Sequence, residues 1–97
     1  MRLPSIYDLV ALIPPKQDGV ITAHKLSSLT KVPEPNIRKI INEARTAGVP
    51  ICSTRRGYYM SNEYDDIAKT ICFLTNRFRT QLQAISGLQK RLQEIEI

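Results

Sequence analysis

The chain has 97 residues, one domain's worth or a smaller domain carrying an appendage, and too few to enclose a large enzyme core. Its formal net charge is +5, and all of the excess lies early: residues 1–62 hold nine Lys or Arg against four Asp or Glu, whereas residues 63–97 hold five of each. A compact basic segment points to a polyanionic partner, and two cysteines, Cys52 and Cys72, have neither the number nor the spacing of a disulfide framework or a zinc site.

A reducing cytoplasm is therefore the expected compartment, with both cysteines as small apolar fillers. The apolar patch from Met1 to Ile13 is broken by Asp8 and followed by Pro14 and Pro15, with no small-residue cleavage signal. No run of ~20 apolar residues occurs anywhere, so neither export nor a membrane span is expected.

Ile6, Leu9, Val10 and Ile13 recur at helical spacing behind Ser5, and Asp8 stands where a capping box places its acidic partner. This predicts a first helix over about Ile6 to Ile13, stopped by the two prolines. Lys16-Gln17-Asp18-Gly19 reads as a turn, and the β-branched Val20 and Ile21 as a short strand. Thr22 is a plausible cap for a second helix, Ala23 to about Thr30, whose Ala23, Leu26 and Leu29 share a face.

Residues 32–48 are the stretch around which the chain is organised. Ile37, Ile40, Ile41 and Ala44 form one helical face, while Glu34, Arg38, Lys39, Asn42 and Arg45 fall on the other. Pro35 suits a first helical turn and Gly48 supplies a left-handed closing residue. A plain amphipathic surface helix would look the same in isolation, but so short a link to the preceding helix gives the helix-turn-helix arrangement. Val49 and Ile51, then Tyr58, Tyr59 and Met60, suit strands, and Ser53-Thr54-Arg55-Arg56-Gly57 between them is a polar turn carrying two arginines. The predicted fold is mainly α with a small β-hairpin: a winged helix-turn-helix over 1–62, with the hairpin as the wing, followed by an oligomerisation helix over 63–97.

From Gly19 to Tyr59, the helix pair, the Ala-Gly-Val-Pro-Ile strand and the Arg-Arg-Gly-Tyr-Tyr hairpin resemble the helix-turn-helix domain at the start of biotin repressors and of many small bacterial and phage regulators. That resemblance implies duplex DNA binding with the second helix of the pair in the major groove, which puts Glu34, Pro35, Asn36, Arg38 and Lys39 near the nucleic acid. Two positions depart from the pattern. Lys31 stands where the family often has glycine in the turn, and Pro33 replaces a Ser or Thr cap.

Beyond Asn62, a candidate cap, Glu63, Asp65 and Asp66 suit the positive end of a helix and no proline interrupts the rest. Some thirty residues at about 1.5 Å each give a helix on the order of 50 Å long. With Tyr64 as position a, the heptad seam is Tyr64, Ile67, Ile71, Leu74, Phe78, Gln81, Ile85, Leu88, Leu92 and Ile95, apolar or aromatic at every position except Gln81. Such a repeat predicts supercoiling with a second copy. Tyr64 to Ile71 has the alternative of packing back on the preceding core, leaving Leu74, Phe78, Gln81, Ile85, Leu88, Leu92 and Ile95 for dimerisation. Gln81 would fix register, with Gln81→Leu raising stability while loosening the choice of oligomer.

No enzyme is expected. His24, the single histidine, lies between Ala23 and Lys25 on a short helix, no Cys or acidic pair stands at catalytic or metal-ligating spacing, and the four glycines form no phosphate-cradling loop. Neither a cofactor nor a metal is implied. The leading expectation is a homodimeric, sequence-specific double-stranded DNA-binding protein, a transcription regulator of phage or mobile-element type. Lys25, Lys31, Arg45, Arg55 and Arg56 would meet phosphates, and Asn36, Arg38 and Lys39 would read base edges. Two alternatives stay open: a replication, partition or recombination accessory that coats or bridges DNA, and an interaction module for a host protein such as an RNA polymerase subunit.

Overall fold

The computed structural model describes residues 6–96, with side chains described from Asp8 to Ile95. Among the described residues four α-helices and one hairpin occur in the order α1 (Ile6–Val10), α2 (Ala23–Thr30), α3 (Glu34–Thr46), β1 (Ile51–Thr54), β2 (Gly57–Met60) and α4 (Tyr64–Glu96). The protein is mainly helical, with one antiparallel two-stranded hairpin and a long final helix, a layout compatible with the expected fold. It divides into two compact units, the first ending at Ile67 and the second beginning at Ala68. The division thus falls at the end of the first turn of α4.

In the first unit α3 is the hub, packing against α1, α2 and β1. Its apolar face behaves as the spacing predicts: Ile37, Ile41 and Ala44 are buried and join Leu9, Ile13, Leu26 and Ile51 in one core, with Ile40 packed at its edge. α1 is shorter than expected. It ends at Val10, after which Leu12 N–H bonds to Leu9 O and Ile13 N–H to Val10 O at 3.1 and 3.0 Å. These tighter i to i+3 bonds fit the approach to Pro14, which disfavours helical geometry in the residue before it. Ser5, the expected cap, lies outside the described residues. A short 3-10 turn, Lys16–Asp18, follows the prolines and closes on Gly19 at φ 100°.

Thr22 caps α2 as expected, its hydroxyl accepting from Lys25 N–H at 3.0 Å. The helix ends at Lys31, which takes the left-handed conformation usually left to glycine (φ 63°). The turn is held locally: Lys31 N–H bonds to Ser27 O at 2.8 Å, and Ser27 Oγ donates to Val32 O at 2.5 Å. Pro33 provides no side-chain cap for α3, and its carbonyl accepts from Asn36 and Ile37 N–H instead. At the other end Gly48, at φ 93°, completes a Schellman motif: Val49 N–H reaches back to Ala44 O and Gly48 N–H to Arg45 O.

The hairpin departs from expectation in its strand bounds and the length of its turn. Val49 is spent on closing α3, so β1 begins at Ile51. Ser53, Thr54 and Gly57 are strand residues, because Thr54 pairs with Gly57 and the connection shrinks to Arg55 and Arg56. Thr54 Oγ1 accepts from Arg56 N–H at 3.0 Å, fixing that turn. The expected strand at Val20 and Ile21 reduces to a single bridge, in which Ile21 and Tyr58 exchange both backbone bonds at 2.9 and 2.8 Å. Gly57 lies beside that bridge, and a Cβ there would strike the Ile21 carbonyl group, 2.7 Å from its carbon.

α4 starts one residue later than the Asn62 cap predicts, with Glu63 O accepting from Ile67 N–H at 3.1 Å. Its first turn is tied to the 3-10 turn by Asp66. That buried carboxylate accepts from Lys16 Nζ at 2.9 Å and Ser61 Oγ at 2.7 Å. Tyr64, the first seam position, is 84% exposed, so it does not pack back on the core. Among the described residues no helix is long and apolar enough to cross a membrane.

Candidate nucleic-acid interface

The polar side of α3 is the first element of the site. Pro35, Asn36, Arg38 and Lys39 are exposed, and Glu34 is half-exposed. Their exposure follows from the burial of Ile37 and Ile41, which commits the opposite side of the helix to the core. Asn42, exposed one turn beyond Arg38, lies on the same face, where its spacing places it, although it was not counted among the DNA-contacting residues. Its i+4 spacing from Arg38 is the signal that would have added it to them.

Lys25 and Lys31 are exposed on and just after α2, the helix packed against α3. His24 of α2 also reaches across: its Nδ1 lies 3.3 Å from Glu34 Oε1. This contact gives Glu34 a protein partner at the start of α3, a pairing that no local sequence signal announces.

Arg45 occupies the far end of the polar face, two turns from Arg38, and is half-buried. Its Nε donates to Ile51 O at 2.8 Å and one terminal nitrogen to Ser53 Oγ at 3.3 Å, while the guanidinium stands 5.7 Å from the Tyr58 ring centre. Burial lowers its pKa from the ordinary arginine value, partly offset by Tyr58 and Cys52. Arg45 is thus engaged within the protein, where the sequence reading made it a phosphate ligand. The consequence is structural continuity: Arg45 joins the α3 face to β1, and β1 leads to the exposed Arg55 and Arg56. The structure therefore brings the α3 cations and the hairpin tip onto elements that are clamped to each other.

The described part of the second unit is one helix with an uncovered apolar stripe. Phe78, Ile85, Leu88, Leu92 and Ile95 are between 49% and 71% exposed, Gln81 is exposed, and Leu74 is half-buried. Leu82, beside the seam at an e position, is also exposed and widens the stripe. Cys72 corrects its expectation as a filler: it is exposed, whereas Cys52 is buried. Among the described residues no group of three or more His, Cys, Asp or Glu is placed to hold a metal ion.

No protein-family model, curated protein or solved structure matches the chain.

Proposed function

We propose that the protein is a homodimer that binds double-stranded DNA sequence-specifically, acting as a small transcription regulator of phage or mobile-element type in a bacterial or phage-infected cytoplasm. In this reading residues 1–62 are a winged helix-turn-helix. α3 enters the major groove, where Asn36, Arg38 and Lys39 meet base edges, and the hairpin is a wing whose Arg55 and Arg56 lie on the backbone. Lys25 and Lys31 add phosphate contacts beside the reading helix. The observation that supports it is the clamp at Arg45, which couples a cation-bearing α3 face to a hairpin tipped by two exposed arginines.

Arg45 itself then acts on DNA indirectly, by fixing where the wing stands. Glu34, whose carboxylate lies 3.3 Å from His24 Nδ1, is held at the start of α3 beside α2. The exposed stripe on α4 supplies the dimer contact, and two reading helices on adjacent turns of one duplex require half-sites roughly 34 Å apart, or a multiple of it.

Selection of bound duplexes from a random pool, followed by footprinting of the winners, tests the reading. A recurring motif with a compact footprint and steep salt dependence is expected. A spreading footprint without a motif would favour a coating accessory, and no enrichment at low salt would favour an interaction module for a host protein.

A further inference from the structure

Within the dimer reading just proposed, on which this rests, the remaining question is how the two tails run. The polar break in the seam answers it. Positions a are Tyr64, Ile71, Phe78, Ile85 and Leu92; positions d are Ile67, Leu74, Gln81, Leu88 and Ile95.

In a parallel, in-register pair each layer contains like positions, a with a and d with d. Gln81 then faces its own counterpart, and each side-chain amide can donate to the other's carbonyl oxygen. In an antiparallel pair a faces d. Whatever the offset, Gln81 would then lie against Ile71, Phe78, Ile85 or Leu92, none of which can hydrogen-bond it. Meeting Tyr64 instead requires a slip that leaves Ile85, Leu88, Leu92 and Ile95 with no facing helix. A buried amide without a partner bears its full desolvation cost, enough to decide between otherwise similar pairings.

Two further features agree. Ile71 with Leu74, and Ile85 with Leu88, repeat the β-branched a and leucine d that suit parallel pairs of helices. At the flanks, a parallel pair sets Arg77 opposite Leu82 and Arg91 opposite Glu96, so no like charges meet.

We infer that two copies of α4 pair in parallel and in register through Gln81, so that both helices start from the same end of the pair. The DNA target is then one duplex with two inverted half-sites. An antiparallel pair would set the two helix starts on the order of 50 Å apart, at opposite ends of helices of this length, and would suit the bridging of two duplexes.

Single cysteines at two d positions test the direction. Leu74→Cys and Leu88→Cys are each placed in a full-length Cys72→Ser background and oxidised with a glutathione buffer. Facing d positions in a parallel pair bring the α-carbons within disulfide range. Most of each variant is expected as a linked dimer, and the links should form without loss of helicity. An antiparallel pair can bring at most one of the two sites next to its own copy. A species that sediments as a dimer but links at one site or neither overturns the parallel arrangement alone. A monomer in sedimentation overturns the dimer reading with it.

Should either substitution unfold the tail, pyrene on a cysteine appended after Ile97 in the Cys72→Ser chain gives the same answer. Excimer emission supports the parallel pair, and monomer emission from a sedimenting dimer refutes it.

Discussion

The guanidinium of Arg45 stands 5.7 Å from the centre of the Tyr58 ring while its Nε donates to the Ile51 carbonyl at 2.8 Å. One side chain from the last turns of α3 therefore touches both strands of the hairpin. Arg45→Ala is expected to destabilise the fold by about 1–3 kcal/mol, the range for a hydrogen bond from a charged donor with its aromatic contact. Arg45→Lys should recover little, because an ammonium lacks the planar fork that serves Ile51 and Ser53 together. Urea unfolding of the three proteins measures both, and a lysine variant as stable as the parent would show that charge alone suffices.

Gly57 has no room for a side chain. At φ 149° a Cβ would stand 2.7 Å from the Ile21 carbonyl carbon and 3.1 Å from Thr22 N, both backbone atoms held by the bridge to Tyr58. Gly57→Ala should cost about 2–3 kcal/mol through backbone strain and the loss of that bridge. Thermal unfolding will show it as a clear drop in Tm, whereas Gly87→Ala, in open space on α4, should leave Tm level or raise it slightly.

Asp66 sets a pH signature. The Ser61 hydroxyl and then Lys16 hold its carboxyl below the ordinary 3.8, and the bond to Asp66 holds Lys16 above its ordinary 10.5. A depressed acid contributes stability that is present above its unfolded value and lost as pH falls through its folded one. A raised base contributes below its unfolded value and loses that contribution as pH rises through its folded one. Asp66→Asn should therefore melt below the parent by a steady gap from about pH 5 to pH 9. The gap should close only in acid below 3.8 and narrow again above 10.5. A gap that closes near neutrality would contradict the assignment.

On DNA, the two groups of cations should separate. Arg38→Ala and Lys39→Ala are expected to lose discrimination between specific and random duplexes, because base-edge contacts carry sequence. Arg55→Ala and Arg56→Ala should weaken every duplex alike and lower the salt slope by roughly one per phosphate contact removed. Fluorescence anisotropy on a selected and a scrambled duplex over a salt series compares them, and equal losses on both duplexes for all four variants would refute the division.

What the residues alone determined was periodic or strictly local. Ile37, Ile40, Ile41 and Ala44 marked the buried face of α3 because a helix repeats every 3.6 residues. Thr22 and Gly48 marked ends because one hydroxyl and one left-handed residue act on their own turn. The unbroken stretch after Asn62 likewise announced α4 and its apolar stripe. Tertiary structure decided what depends on partners distant in sequence. The hairpin turn contracted to Arg55 and Arg56 with Gly57 lying against Ile21, more than thirty residues earlier. Arg45 turned inward because Ile51 and Ser53 presented acceptors to it, and Asp66 was buried because Lys16, fifty residues earlier, met its charge. Local pattern fixes which side of an element is apolar, but the use of a charged side chain depends on which distant acceptors packing brings within reach.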